Sequence, residues 1–144
     1  MLRGISPIMG PELLLTLYRM GHGDEIVLAD AHFPGESNCT RIVRADGHTI
    51  SDLLEGILPL MPLDAYVEHP VIMMDVVDGD TFEPAVEASY RRVLDKYEAD
   101  NYEITKLSKE EFYARSSQSF AVVMTGETAK YGNIILKKGV IESL

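Results

Sequence analysis

The sequence has 144 residues, 46% of them hydrophobic and 25% charged, with a formal net charge of −10. It reads as one globular domain over residues 1–144, large enough to bury about two-thirds of its unfolded surface. The acidic excess argues against nucleic acid or an anionic membrane as partner, since such binding needs clustered Lys and Arg, and it favours a neutral small molecule. A single cysteine, Cys39, excludes internal disulfides and every paired-cysteine metal or redox motif; its thiol reads as a packing group before it reads as a nucleophile.

The first predicted helix opens at Pro11, where a missing N–H costs little. Leu13, Leu14, Leu17, Tyr18 and Met20 form its apolar stripe, and Gly21 is expected to end it as a left-handed cap. A short buried strand follows over Ile26–Ala29, with Asp30–Glu36 as the loop leaving it. A shorter strand is expected over Thr40–Arg44. Thr49 reads as the N-cap of a helix carrying Leu53, Leu54, Ile57 and Leu58, stopped near Pro59 and Pro62.

Val71–Val77 is a strongly apolar strand, turned by Asp78-Gly79-Asp80. Pro84 opens a helix through Val86, Tyr90, Val93 and Leu94, and Tyr102–Leu107 reads as a strand. Ser108 and Glu111 make a capping box for a helix bearing Phe112 and Tyr113. Two strands, Phe120–Met124 and Ile134–Leu136, close the chain. Alternating helices and strands point to an α/β fold with a mostly parallel sheet.

The apolar runs, such as Ile57–Leu63, fall far short of the roughly 20 residues a spanning helix needs. The N-terminal segment lacks the basic-then-apolar layout of a secretory signal, so a cytoplasmic protein is expected. There is no Gly-x-Gly-x-x-Gly, no Walker loop and no Gly-x-Ser-x-Gly elbow, which removes the sequence support for nucleotide binding and serine hydrolysis.

Candidate chemistry gathers in two segments. In "MGHGDEIVLADAHFPG" (residues 20–35) His22 stands between two glycines, and Asp30 and His32 follow the strand. Ligands of open α/β sheets sit at strand carboxyl ends, which is where Asp30 and His32 fall. The two glycines clear room beside His22, and the strand is expected to carry Asp30 to the same rim. Plainer roles are open: His22 as a helix-capping imidazole, Asp30 as a loop acid capping amides, His32 as a packing residue. A metal held by His22, Asp30 and His32 has no support, because the spacing matches no ligand motif.

In "TGETAKYGNIILKKG" (125–139), Tyr131-Gly132-Asn133 combines a phenol, a bare backbone and an amide that both donates and accepts. That set suits a polyhydroxylated ligand. It also suits an ordinary turn into an edge strand.

Together these stretches, with "GPELL" (10–14), "RADG" (44–47), "SDLL" (51–54) and "FYAR" (112–115), make the chain resemble the ribose-pyranase and fucose-mutarotase family, sometimes called RbsD/FucU, over nearly its whole length. His32 and Gly132 resemble the fucose branch in particular; the ribose branch tends to carry a smaller residue and an alanine there. The resemblance implies a three-layer α/β/α sandwich that interconverts α and β anomers of a free sugar, L-fucose first. It implies no cofactor and no metal, and pentameric rings often paired into a homodecamer, with sites between subunits.

By the same resemblance His22 matches the proton donor, Asp30 a sugar-binding acid, and Tyr131, Gly132 and Asn133 the sugar-binding turn. Lys109 stands where the fucose branch commonly has arginine, so its binding role is a departure: a point donor in place of a planar fork. The alternatives are a D-ribose pyranase and a sugar-binding protein without turnover.

Overall fold

A computed structural model describes residues 1–99 and 101–144. Five helices and six strands alternate through them: α1 (Pro11–Arg19), β1 (Glu25–Ala29), α2 (Gly35–Asn38), β2 (Ile42–Ala45), α3 (Ile50–Ile57), β3 (Val71–Met74), α4 (Pro84–Glu98), β4 (Ile104–Leu107), α5 (Lys109–Ser117), β5 (Ala121–Thr125) and β6 (Ile134–Lys137).

The strands form one sheet in the order β2-β5-β1-β6-β3-β4. β2, β5 and β1 pair in parallel, as do β3 and β4. β6 alone runs the other way, and it joins the two parallel groups by pairing with both β1 and β3. Because β6 is antiparallel, its start lies at the carboxyl ends of β1 and β3 and its end at their amino ends. That reversal sets residues 131–133, which precede β6, beside the carboxyl ends of β1 and β3.

Strand side chains alternate between the faces of the sheet, and the core divides accordingly. Ile26 and Leu28 of β1 face a larger cluster with Leu13 and Leu17 of α1, Leu53, Leu54 and Ile57 of α3, and Tyr90, Val93 and Leu94 of α4. Val27 and Ala29 face a smaller one with Phe33 and with Phe112 of α5. Helices on both faces make the expected three layers. Each fully buried Leu or Ile here contributes roughly 1.5–3 kcal/mol through burial, so the central strand is fixed from both sides.

Local signals explain most element starts. Pro11 and Pro84 occupy first helical positions. Thr49 accepts from the Asp52 N–H and Ser108 from the Glu111 N–H, both at 3.2 Å. Three expectations are corrected. Gly21 is not a left-handed cap: α1 stops at Arg19, with Met20 already extended (φ −64°, ψ 136°), and the Gly21 N–H is taken by Asp24 Oδ2 at 2.7 Å. The positive φ of 86° falls at Gly23 instead. The run Val71–Val77 pairs only as far as Met74. The loop after Asp30 contains the single helical turn α2.

Candidate active site

At the carboxyl ends of β1 and β3 an open cavity of about 220 Å³ is lined by Asp30, Phe33, Met74, Asp80, Lys109, Tyr113, Tyr131 and Asn133, among others. It lies just below the roughly 300 Å³ at which pockets for drug-sized ligands begin, a scale that suits something as small as a monosaccharide. The floor is polar and the walls are aromatic: Phe33 meets Tyr113 edge-on at 5.2 Å between ring centroids.

Asp30 and Asn133 form the floor. The Asp30 N–H donates to Asn133 Oδ1 at 2.7 Å, and Asp30 Oδ1 accepts from the His32 N–H at 2.9 Å. Asp30 is buried, and that burial pushes its pKa above 3.8 against the opposing hydrogen bonds from His32 and Asn133. A carboxylate held this way keeps acceptor capacity for a hydroxyl.

Tyr131 is the strained member. It has φ 58°, the left-handed region that costs an L residue of order 1–3 kcal/mol and clusters at functional sites. Its hydroxyl donates to Asp80 Oδ2 at 2.6 Å, and Lys130 approaches the same carboxylate at 3.2 Å. The Tyr131 hydroxyl, the Thr81 N–H and Lys130 together lower the Asp80 pKa from 3.8 to about 2. Lys109, exposed at the start of α5, holds its Nζ 5.7 Å from the Tyr113 ring.

Gly132 is buried beneath this layer. Its carbonyl accepts from the Tyr90 hydroxyl at 2.8 Å, and a Cβ there would stand 3.1 Å from that same hydroxyl. Glycine at this position therefore serves close packing.

His22 lies elsewhere. Seven residues, the five of β1 among them, separate it from Asp30, and at about 3.3 Å of rise per strand residue the two stand at opposite ends of the strand, roughly 17 Å apart or more. The expectation that β1 brings them to one rim is thus corrected: a strand carries its two ends apart. At its own end His22 is half exposed, and its Nε2 is 3.0 Å from Oδ1 of Asp64, which is 4% exposed. The Tyr66 ring tilts against the imidazole, 5.3 Å between centroids.

Asp64 also accepts from the Tyr66 N–H at 3.0 Å. Burial raises its pKa, but the Tyr66 N–H and His22 outweigh that, and the net direction is downward. Asp64 is therefore a carboxylate near neutral pH.

Of the residues singled out in the sequence, Asp30, Lys109, Tyr131 and Asn133 meet at one cavity, Gly132 supports it, and His22 stands apart with Asp64. His32, Phe33 and Met74 complete the walls. Asp80 and Asp64 escaped sequence reasoning. Asp80 was legible in principle, because it follows the carboxyl end of β3, although Asp78-Gly79-Asp80 looked like a mere turn. Asp64 is 42 residues from His22, and nothing local marks it. Among the described residues the grouping able to offer three ligand atoms to a metal is Glu68, His69 and Glu103, all exposed and none in the cavity.

Relatives share this chain nearly end to end. It is 53% identical over 140 residues to an L-fucose mutarotase of Haemophilus influenzae, covering 97% of each chain, and 51% identical over 140 residues to one of Histophilus somni, with the same coverage. A crystal structure of the fucose mutarotase in complex with L-fucose from Streptococcus pneumoniae superposes with a TM-score of 0.92 at 48% identity, covering 97% of this chain and 99% of that one. The model of the RbsD / FucU transport protein family matches residues 3–141, and the chain belongs to that family.

Proposed function

We propose that this chain interconverts the α and β anomers of free L-fucose. The observation that carries the reading is full-length similarity at 53% identity to proteins named for that activity. The cavity supports it: a buried acid, an amide, a phenol and an ammonium against aromatic walls suit a neutral polyol. No helix of the described residues is long and apolar enough to cross a membrane, and a cytoplasmic location is part of the proposal.

Ring opening takes the proton from the anomeric hydroxyl, turns that C–O bond into a carbonyl, breaks the bond to the ring oxygen and places a proton there. Closure on the other carbonyl face reverses each step. No net proton, electron or atom is consumed. A histidine changes charge near neutral pH and can serve such transfers. In this reading His22 exchanges the proton at one sugar oxygen, and water in the open cavity serves the other. Asp30, Lys109, Tyr131 and Asn133 hold the hydroxyls, with Gly132 shaping the turn.

Because His22 and the cavity lie at opposite ends of β1, a complete site takes His22 from one protomer and the cavity from another. Half exposure of His22 suits that arrangement. So does an apolar groove of about 580 Å³ at the same end, lined by Leu2, Leu14, Leu17, Tyr18 and Ile141. A ring-shaped homo-oligomer, pentameric or paired into a decamer, satisfies the geometry, since a head-to-tail contact whose rotation closes makes a ring.

Anomer exchange followed by NMR magnetisation transfer over L-fucose, D-ribose and D-glucose tests the reading. Exchange is expected to rise most for L-fucose. Faster pyranose–furanose exchange of D-ribose alone would make the chain a ribose pyranase, and binding with no faster exchange would make it a sugar-binding protein.

A further inference from the structure

His22 is held by a group that no expectation about this chain included. Its Nε2 faces Asp64 Oδ1 at 3.0 Å, the carboxylate is 4% exposed while the imidazole is 46% exposed, and so one ring edge is fixed inward and the other is open. An ionised carboxylate has only acceptors. The hydrogen between the two groups therefore belongs to Nε2. In a neutral imidazole that leaves Nδ1 bare, a base directed away from its anchor.

The carboxylate is itself held in place. The Asp64 N–H donates to the Lys137 carbonyl at 3.0 Å, the Gly139 N–H to the Pro62 carbonyl at 2.8 Å, and the Leu63 N–H to the Glu98 carboxylate at 3.1 Å. A Cβ on Gly139 would strike the Leu63 carbonyl, so glycine permits this close approach. The segment bearing His22 is tied to the same edge: the Gly23 N–H donates to the Lys138 carbonyl and the Lys138 N–H to that of Asp24, both at 2.8 Å. Residues 22–24, 62–66 and 137–139 thus form one braced edge, with the imidazole and its carboxylate fixed relative to each other.

We propose that Asp64 is a positioning residue which holds His22 in the tautomer protonated at Nε2, so that Nδ1 is the atom that takes and returns the sugar proton. The proposal rests on the reading of His22 as the proton-exchanging group. When Nδ1 takes the proton from the anomeric hydroxyl the ring becomes an imidazolium beside a buried carboxylate, which stabilises the charge. When the proton returns, the neutral Nε2–H tautomer is restored, with no net change in either group. Tyr66 packs against the ring and limits its rotation.

The test uses the intact protein. Long-range proton–nitrogen NMR correlations on the wild type, assigned by loss of the signal in His22→Ala, are expected to show hydrogen on Nε2 of the neutral ring. Asp64→Asn keeps the shape and an acceptor for the Tyr66 N–H but removes the charge. It is expected to lower kcat at least about tenfold, within the range that acid–base groups supply, with KM little changed and circular dichroism unaltered. Asp64→Ala, where it folds, is expected to mix the two tautomers.

A wild-type ring protonated at Nδ1, or Asp64→Asn with full kcat, would overturn the role of Asp64 while leaving His22 in place. Undiminished anomer exchange in His22→Ala would instead remove the reading beneath it. The two failures are read from different variants.

Discussion

Asp30 sits in a poor place for a charge. It is buried, and burial raises its pKa above 3.8. For a carboxyl with a raised folded-state pKa, folding is favoured most below the ordinary value, and stability is lost as pH climbs through the raised one. Asp30→Asn removes that loss. The variant is expected to melt higher than the wild type near neutral pH, by about 2–4 °C, the response to about 1 kcal/mol in a chain of this size. Below the ordinary carboxylate pKa the gain should vanish, because both proteins then carry a neutral group there. Sugar turnover should fall at the same time, the usual trade between a strained site and stability. Thermal melts at both pH values decide it: an equal gain at each would mean that charge burial is not the cause.

The helix that presents Lys109 begins through a local device. Ser108 accepts from the Glu111 N–H at 3.2 Å, and Lys109 is the first residue of α5. Ser108→Ala is expected to cost about 1 kcal/mol in urea melts and to raise KM for L-fucose severalfold by fraying the turn that holds Lys109. A KM equal to wild type would detach Lys109 from binding. Such caps were legible in the sequence because the groups lie three residues apart. Strand ends were less so, since apolar composition outruns pairing: β3 stops at Met74 although Val76 and Val77 follow, because its partner β6 starts at Ile134 opposite Met73. Gly21 misled for a similar reason. A glycine past a helix suggests a left-handed cap, but here Asp24 takes the Gly21 N–H and the turn is displaced to Gly23.

At the scale of the molecule, the layers and the helices on both faces could be anticipated from sheet periodicity, Asp30 from the carboxyl-end rule, and Tyr131 and Asn133 from the chemistry of their own turn. The relation between His22 and the cavity could not. Their nearness in sequence is spanned by an extended strand, which converts eight residues of separation into a distance across the sheet, and Asp64 arrives beside His22 only through the pairing of residues 62–64 with the end of β6. The proposed assembly of the site from two copies has a consequence that a one-chain site lacks. His22→Ala and Asn133→Ala should each be inactive alone, one lacking the proposed acid–base group and the other the floor of the cavity. In the proposed ring, the two variants co-expressed in equal amounts mix, and where an intact His22 faces an intact cavity the site is restored. Random mixing in a closed head-to-tail ring makes about a quarter of the contacts whole, so anomer exchange should return to about that fraction of wild type. Blending the two purified variants without subunit exchange should give nothing. Co-expressed protein as inactive as its parents, with mixed rings verified by native mass spectrometry, would place His22 and the cavity of the same copy in one site and return the problem to the single chain.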